Sequence, residues 1–332
     1  MSFRAASLIC TALLLVAVLT SLALGAYPIP VNALLTGQLT DAEWSILTGL
    51  RIPRVLAAAA GGATFALAGA ALQALFRNPL ADPGLLGVPA AAGLGAAIAL
   101  IVVGAGMALW IGALVGAALA MSLMLLVARR VSEVGVASAG STGTLLLLGI
   151  AINAACAAGL AMLTALASEG QLKTLSFWML GSFASLTWPV VIALCAVTMV
   201  AAASLQTMAR ALGALLLGER AARAVGVNLK RLRFRVAVVT AAAVAVVTAF
   251  CGGVGFVGLA APHLARLTVG ASPRCVLPLS ALIGALLCVL ADVVARSIAP
   301  PIELPVGAIT AILGVPLLIA MIMRGEAGRR AR

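Results

Sequence analysis

Charge is what this sequence has least of. Across 332 residues, Lys, Arg, Asp and Glu make up 9%, against roughly 25% in soluble domains, and only nine residues are acidic. That shortage excludes the two or three soluble domains a chain of this length would otherwise suggest. Aromatic residues are equally sparse at 4%, so the net charge of +12 has no aromatic-interleaved surface on which bases could stack. A nucleic-acid partner is excluded on that ground. Strands of alternating polarity are missing, which excludes a membrane β-barrel. No G-x-x-x-x-G-K-[ST] occurs, and the nearest glycine-rich stretch, S-A-G-S-T-G-T from Ser138 to Thr144, lacks the lysine that reaches nucleotide phosphates. Any work driven by ATP needs a separate subunit. The six cysteines are scattered through apolar runs without C-x-x-C spacing and read as small buried residues rather than a disulfide or metal set.

What is present is apolar: 64% of residues are hydrophobic. Backbone groups in lipid need partners within their own segment, so the expected fold is an all-α polytopic membrane protein, one transmembrane domain over 1–332. A bilayer crossing takes about 20 apolar residues. Candidate runs are Ala5–Ala26, Val55–Phe76, Leu85–Val103, Met107–Ala128, Gly143–Leu166, Pro189–Leu205, Val236–Phe250, Val254–Val269, Cys275–Ala295 and Val306–Met323. The first resembles a signal peptide but exceeds the usual 7–15-residue core, and is read as a retained helix. Ser168–Leu186 reads as interfacial, with Phe177, Trp178 and Trp188 at headgroup level. The eighth run, short and glycine-rich, is the weakest crossing.

About ten crossings place both termini on one side. With that side cytoplasmic, only Arg51, Arg54, Lys173 and Arg296 of the 21 basic residues lie outside, a strong positive-inside bias. The most polar internal stretch, 206–235, becomes a cytoplasmic loop. Gly112/Gly116 and Ala66/Ala70 have the small-x-x-x-small spacing that lets helices pack closely in lipid.

Several motifs carry a resemblance. They are R-I-P-R at Arg51–Arg54, Q-A-L-F-R-N-P-L-A-D-P-G-L-L-G-V at Gln73–Val88, L-G-E-R-A-A-R-A-V-G at Leu217–Gly226, G-F-V-G-L-A-A-P-H at Gly255–His263 and E-L-P-V-G at Glu303–Gly307. In this order they resemble the permease of ATP-binding cassette importers for ferric siderophores, haem and cobalamin. The resemblance implies a ten-helix subunit of the bacterial cytoplasmic (inner) membrane, working with a second copy of itself. Its other partners would be two cytoplasmic ATPases, which hold ATP and Mg, and a periplasmic substrate-binding protein. No cofactor or metal would be bound by this chain, and it would not itself be an enzyme.

By the same resemblance, Arg51, Arg54 and Arg296 match arginines that meet acidic residues of the binding protein. Snorkelling at helix ends is the alternative. For Arg296, an i,i+4 pair with Asp292 is another. Leu217, Gly218, Glu219, Arg220, Ala221, Ala222, Arg223, Val225 and Gly226 match a coupling segment seated on the ATPase. Arg220 and Arg223 lie three apart on one helical face, while Leu217, Ala221, Ala222 and Val225 offer a small apolar surface. Gln73, Asn78 and Leu80 match the path and its inner gate, where a proline-broken backbone is tolerated only under protein or along a cavity.

His263 is read as structural. The A-D-P-G-L-L-G-V stretch looks more like haem and cobalamin members than siderophore ones, so haem is the expected cargo. The competing class is an ion-coupled secondary transporter. It would place ionisable residues at mid-depth, where this sequence has almost none.

Overall fold

The computed structural model describes residues 1–25, 27–133, 142–184, 186–298 and 303–316. The basic tail Arg324–Arg332, the end of the tenth run and most of the 138–144 stretch lie outside the described residues.

The described chain is helical, with no strand among the described residues. In order the helices are α1 (Phe3–Ala23), α2 (Val31–Thr36), α3 (Asp41–Ile46), α4 (Ile52–Phe76), α5 (Val88–Val102), α6 (Met107–Glu133) and α7 (Thr142–Leu166). There follow α8 (Glu169–Met179), α9 (Trp188–Leu216), α10 (Glu219–Ala224), α11 (Leu229–Cys251), α12 (Val257–Val269), α13 (Pro273–Ser297) and α14 (Val306–Pro316). Among the described residues seven segments are long and apolar enough to cross a membrane, falling on α1, α3 to α4, α6, α7, α9, α11 and α13. The 25 residues of α4 rise about 37 Å at about 1.5 Å each, more than the roughly 30 Å of hydrocarbon. The 13 of α12 rise only about 20 Å, so the weak eighth run is a short helix fed by an extended lead-in.

Helix α4 is the axis of the bundle. Apart from its first turns it is buried throughout, and α13, α9, α12 and α11 all pack on it. Its Ala and Gly residues make this possible. A Cβ on Gly62 would lie 2.1 Å from the carbonyl oxygen of Gly284 in α13, and one on Gly69 would lie 2.0 Å from that of Gly258 in α12. Backbones touch at both points. The expected small-residue contacts recur between α5 and α6, where Gly112 meets Gly95 and Gly116 meets Ala91. Helix α1 instead sits at the edge, burying only Ala6, Ala17, Ser21 and Ala23. Leu8, Leu15, Leu119, Met162 and Met199 point outward, as a chain solvated by lipid allows.

We call the end bearing Arg51 outer and the opposite end inner, after the charge bias. At the outer end the segment after α8 meets the last residue of α11 and the first residues of α14. Ser182 N–H donates to Cys251 (2.9 Å), Val306 N–H to Gly181 (3.1 Å) and Gly307 N–H to Leu180 (2.9 Å). The free carbonyl of a helix end and the free N–H groups of a helix start are thus satisfied by loop backbone, an arrangement lipid permits only inside protein.

Two expectations shift. Trp178 turns half inward, with its carbonyl against Gly252, because α8 docks on this junction; Phe177 and Trp188 stay exposed. The stretch 206–235 is mostly helix, since α9 runs to Leu216 and α11 starts at Leu229. Lys and Arg are good helix formers, so their polarity does not mark a loop.

Candidate functional site

At the outer end, Arg51, Arg54 and Arg296 come together although they stem from α4 and α13. They are not held out to solvent. The last turn of α1 contains no basic residue to meet its free carbonyls. Arg51 supplies that partner from the start of α4: Nη1 donates to the carbonyls of Leu22 and Ala23, and Nη2 to that of Tyr27. Only 5% of Arg51 is exposed. Arg296 supplies a second, donating through Nη1 to Leu24 (2.8 Å) and through Nη2 to the carbonyl of Ser21 and its Oγ (2.6 Å).

Arg54 faces the other way. Its Nε donates to both oxygens of Asp292 (2.9 and 3.1 Å) and its Nη1 to Glu303 (2.7 Å). Asp292 is fully buried, whereas 45% of the Glu303 side chain is exposed. The i,i+4 pair also forms, with Arg296 Nε 3.6 Å from Asp292. Three guanidiniums and two carboxylates thus leave one excess positive charge beside the 303–307 segment. Sequence reading missed Arg54–Asp292 and Arg54–Glu303, and pairs 238 and 249 residues apart leave no local pattern to find.

The residues expected to form the path and gate divide. Gln73 is 4% exposed and ties three segments together. Its Nε2 donates to the carbonyls of Ala81 and Gly258 (both 3.2 Å), and its Oε1 accepts from Arg266 Nη1 (2.6 Å). Gln73 is thus a tie at the inner end of the bundle's axis, at the wall of an inner cleft. Asn78 and Leu80 are exposed, and the Asn78 Oδ1 accepts from Leu80 N–H (2.9 Å), an Asx turn that reverses the chain after Arg77. Asp82 then caps the turn at Pro83–Leu86 by accepting from Gly84 N–H (2.8 Å), and burial holds its carboxyl above the usual range.

The segment expected to couple folds as α10, a single turn and a half between Gly218 (φ +115) and Gly226 (φ +81), conformations that disfavour side chains. Glu219 fixes it, accepting from Arg223 (3.2 Å) and from Arg233 on α11. Leu217, Arg220, Ala221, Arg223, Val225 and Gly226 are exposed, Leu217 by 82% and Val225 by 69%. Ala222 is the correction. It is fully buried and packs into the core, so it anchors the turn and is absent from the outward face.

Among the described residues no group of His, Cys, Asp and Glu is arranged to hold a metal, and the six cysteines are unbridged.

Comparison with known proteins bears on this arrangement. The model of the FecCD transport family matches residues 13–324. The chain belongs to the FecCD transport family. It is 36% identical over 320 residues to the hemin transport system permease protein HmuU of Yersinia pestis, covering 94% of this chain and 93% of that one. It is 38% identical over 288 residues to the vitamin B12 import system permease protein BtuC of Vibrio cholerae, covering 86% and 84%. A solved structure, described provisionally as a metal-chelate type ABC transporter in an inward-facing conformation, superposes with a TM-score of 0.83. It is 29% identical and covers 97% of this chain and 99% of its own. FecCD chains are the membrane permease subunits of ATP-binding cassette importers, and the ATPase resides in a separate subunit.

Proposed function

We propose that this FecCD chain is the permease of a bacterial cytoplasmic-membrane importer that carries haem from a periplasmic binding protein to the cytoplasm by alternating access. The observation that carries the cargo is the likeness to a hemin permease along 94% of the chain. The second reading is cobalamin, favoured by the 38% identity to a vitamin B12 permease; a ferric siderophore is the third. An ion-coupled transporter is disfavoured because Asp292 lies near an outer helix end, where Arg54 and Arg296 already engage its carboxylate.

In this reading the permease works as a homodimer with two ATPases. The binding protein lands on the outer cluster, whose excess positive charge would meet its acidic side chains while the exposed Glu303 competes with them for Arg54. Arg51 and Arg296 act there mainly by holding α1, and Arg54 by direct contact once Glu303 gives way. Glu303→Gln, which frees Arg54 Nη1, is expected to tighten the binding protein's affinity severalfold, and Arg54→Gln to weaken it by a similar factor. Equal affinities for both variants and the parent would remove the docking role.

The exposed face of α10 would seat on the ATPase, with Asn78 and Leu80 forming the inner gate nearby. Such a device works only if the partner engages its two states unequally. Gly218→Trp places a bulky residue at φ +115 and should leave the complex hydrolysing ATP without uptake. Uptake coupled at the parental ratio would reject the coupling assignment, and failure of the chain to co-purify with any P-loop subunit would reject the importer.

A further inference from the structure

Next to the inner gate, a cleft of 280 Å³ opens between the last turn of α4, the end of α9 and the α12–α13 corner. Its wall includes Gln73, Arg77, Asn78, Leu216, Arg266 and Pro273, and no carboxylate. Arg266 gives Nη1 to Gln73, while its Nη2 is shut off from solvent and has no partner. Arg77 ends α4 in the left-handed region (φ 49). None of the ion pairs among the described residues includes Arg77 or Arg266. Pro273 opens the 25-residue α13, whose N-cap Ser272 makes no side-chain bond, so the positive end of a long helix borders the same space.

We propose that this cleft binds a phosphate group, and that the phosphate is the headgroup of an anionic phospholipid in the inner leaflet. Two guanidiniums and a helix N-terminus converging without a carboxylate suit an oxyanion with several acceptor oxygens. An enclosed N–H with no acceptor is costly, and a small turn of the Arg266 side chain toward the cleft would bring Nη2 to a phosphate oxygen. The lipid source follows from position. The cleft lies where the α4 span ends, with Leu216 exposed at its rim and exposed Leu80 and Leu267 on the segments beside it. Basic pockets between membrane helices on the cytoplasmic side take lipid headgroups in this way. The volume falls just under the roughly 300–1,000 Å³ of small-molecule sites, so it suits a headgroup better than a bulky chelate. Leu216 ends α9 and leads directly into α10, so an occupied cleft would stiffen the corner from which the coupling turn hangs. The inference requires only that this end of the bundle lie at a membrane surface, and it stands whichever cargo is carried.

The test titrates the purified full chain, in neutral detergent, with dioctanoyl phosphatidylglycerol, dioctanoyl phosphatidylcholine and inorganic phosphate. Phosphatidylglycerol should bind and raise Tm while phosphatidylcholine does neither. Arg77→Asn, a residue that tolerates the left-handed region, and Arg266→Gln should each weaken binding by about fivefold, with Arg266→Lys retaining most of it. Saturable inorganic phosphate binding with the same arginine dependence would uphold the phosphate site and assign it to a soluble source. Equal responses to the two lipids, or unchanged phosphatidylglycerol affinity in Arg77→Asn, would overturn the proposal. So would loss of ATPase co-purification in Arg77→Asn with lipid affinity intact, which would give the cleft to the protein partner.

Discussion

Asp292→Ala is expected to destabilise the protein by about 3–5 kcal/mol, more than any other single polar replacement at the outer end. Asp292 is fully buried, and one carboxylate serves Arg54 and Arg296 together. Removing it leaves two like charges facing each other in a low-dielectric interior. Truncating one partner of a buried pair is far costlier than the pair's net contribution. Thermal unfolding in detergent measures the loss. Asp292→Asn keeps the shape and an acceptor but not the charge, and should fall between parent and alanine variant. The Asp292→Ala/Arg54→Leu double variant should be more stable than the two single effects added together, because it removes the stranded cation as well. Glu303→Ala should cost no more than about 1 kcal/mol, since that carboxylate is half exposed and water takes its place. If Asp292→Ala unfolds at the parental temperature, the outer cluster does not hold α1, α4 and α13 together.

The other large effect lies at mid-bundle. Gly62→Leu is expected to prevent accumulation of folded protein, and Gly62→Ala to lower Tm clearly. At the α4–α13 crossing the obstacle is backbone: a Cβ on Gly62 has 2.1 Å to the Gly284 oxygen where ordinary contact begins near 3.4 Å. The reciprocal Cβ on Gly284 would lie 2.3 Å from the Gly62 oxygen. No rotamer change relieves such a contact, so the helices must part and the surrounding alanines lose their neighbours. Overpacking costs about 1–3 kcal/mol even where side chains can adjust, and here they cannot. Gly170→Ala is the control. Nothing lies within 4 Å of its Cβ position in α8, and the change should be neutral or stabilising. Folded yield and monodispersity after detergent extraction distinguish the two. A well-folded Gly62→Leu would mean that α4 is not the packed axis.

Hydropathy and basic-residue placement made most of the architecture legible before any coordinates. Apolar runs of spanning length and a lopsided distribution of arginine are one-dimensional signals, and the helices fall on the expected runs. The R-I-P-R and E-L-P-V-G motifs fall together at the outer end of the bundle and L-G-E at the inner end, as the charge pattern implied. What the sequence could not convey was which way those residues face. Alanine and glycine suit a substrate path and a close helix crossing equally well, and in α4 they serve the crossing. Arg51 matched a docking cation, yet its guanidinium answers a need of α1 some 28 to 29 residues earlier in the chain. Ala222 was grouped with Leu217, Ala221 and Val225, but a six-residue helix takes its inner side from the α9 and α11 framework, not from its own period. The i,i+4 pair of Asp292 with Arg296 was readable because it is local; the stronger Arg54 contact was not.

The central claim is that this FecCD chain passes haem received from a binding protein. The most direct measurement reconstitutes the permease with its ATPase subunits in liposomes. ATP hydrolysis is then followed as the binding protein is supplied loaded in turn with haem, a ferric siderophore or cobalamin. The haem-loaded protein should stimulate hydrolysis well above the empty one, with haem appearing on the ATPase side and the other two giving little response. Stimulation by cobalamin or siderophore alone would contradict the cargo, and uptake driven by an ion gradient without ATP would contradict the importer itself.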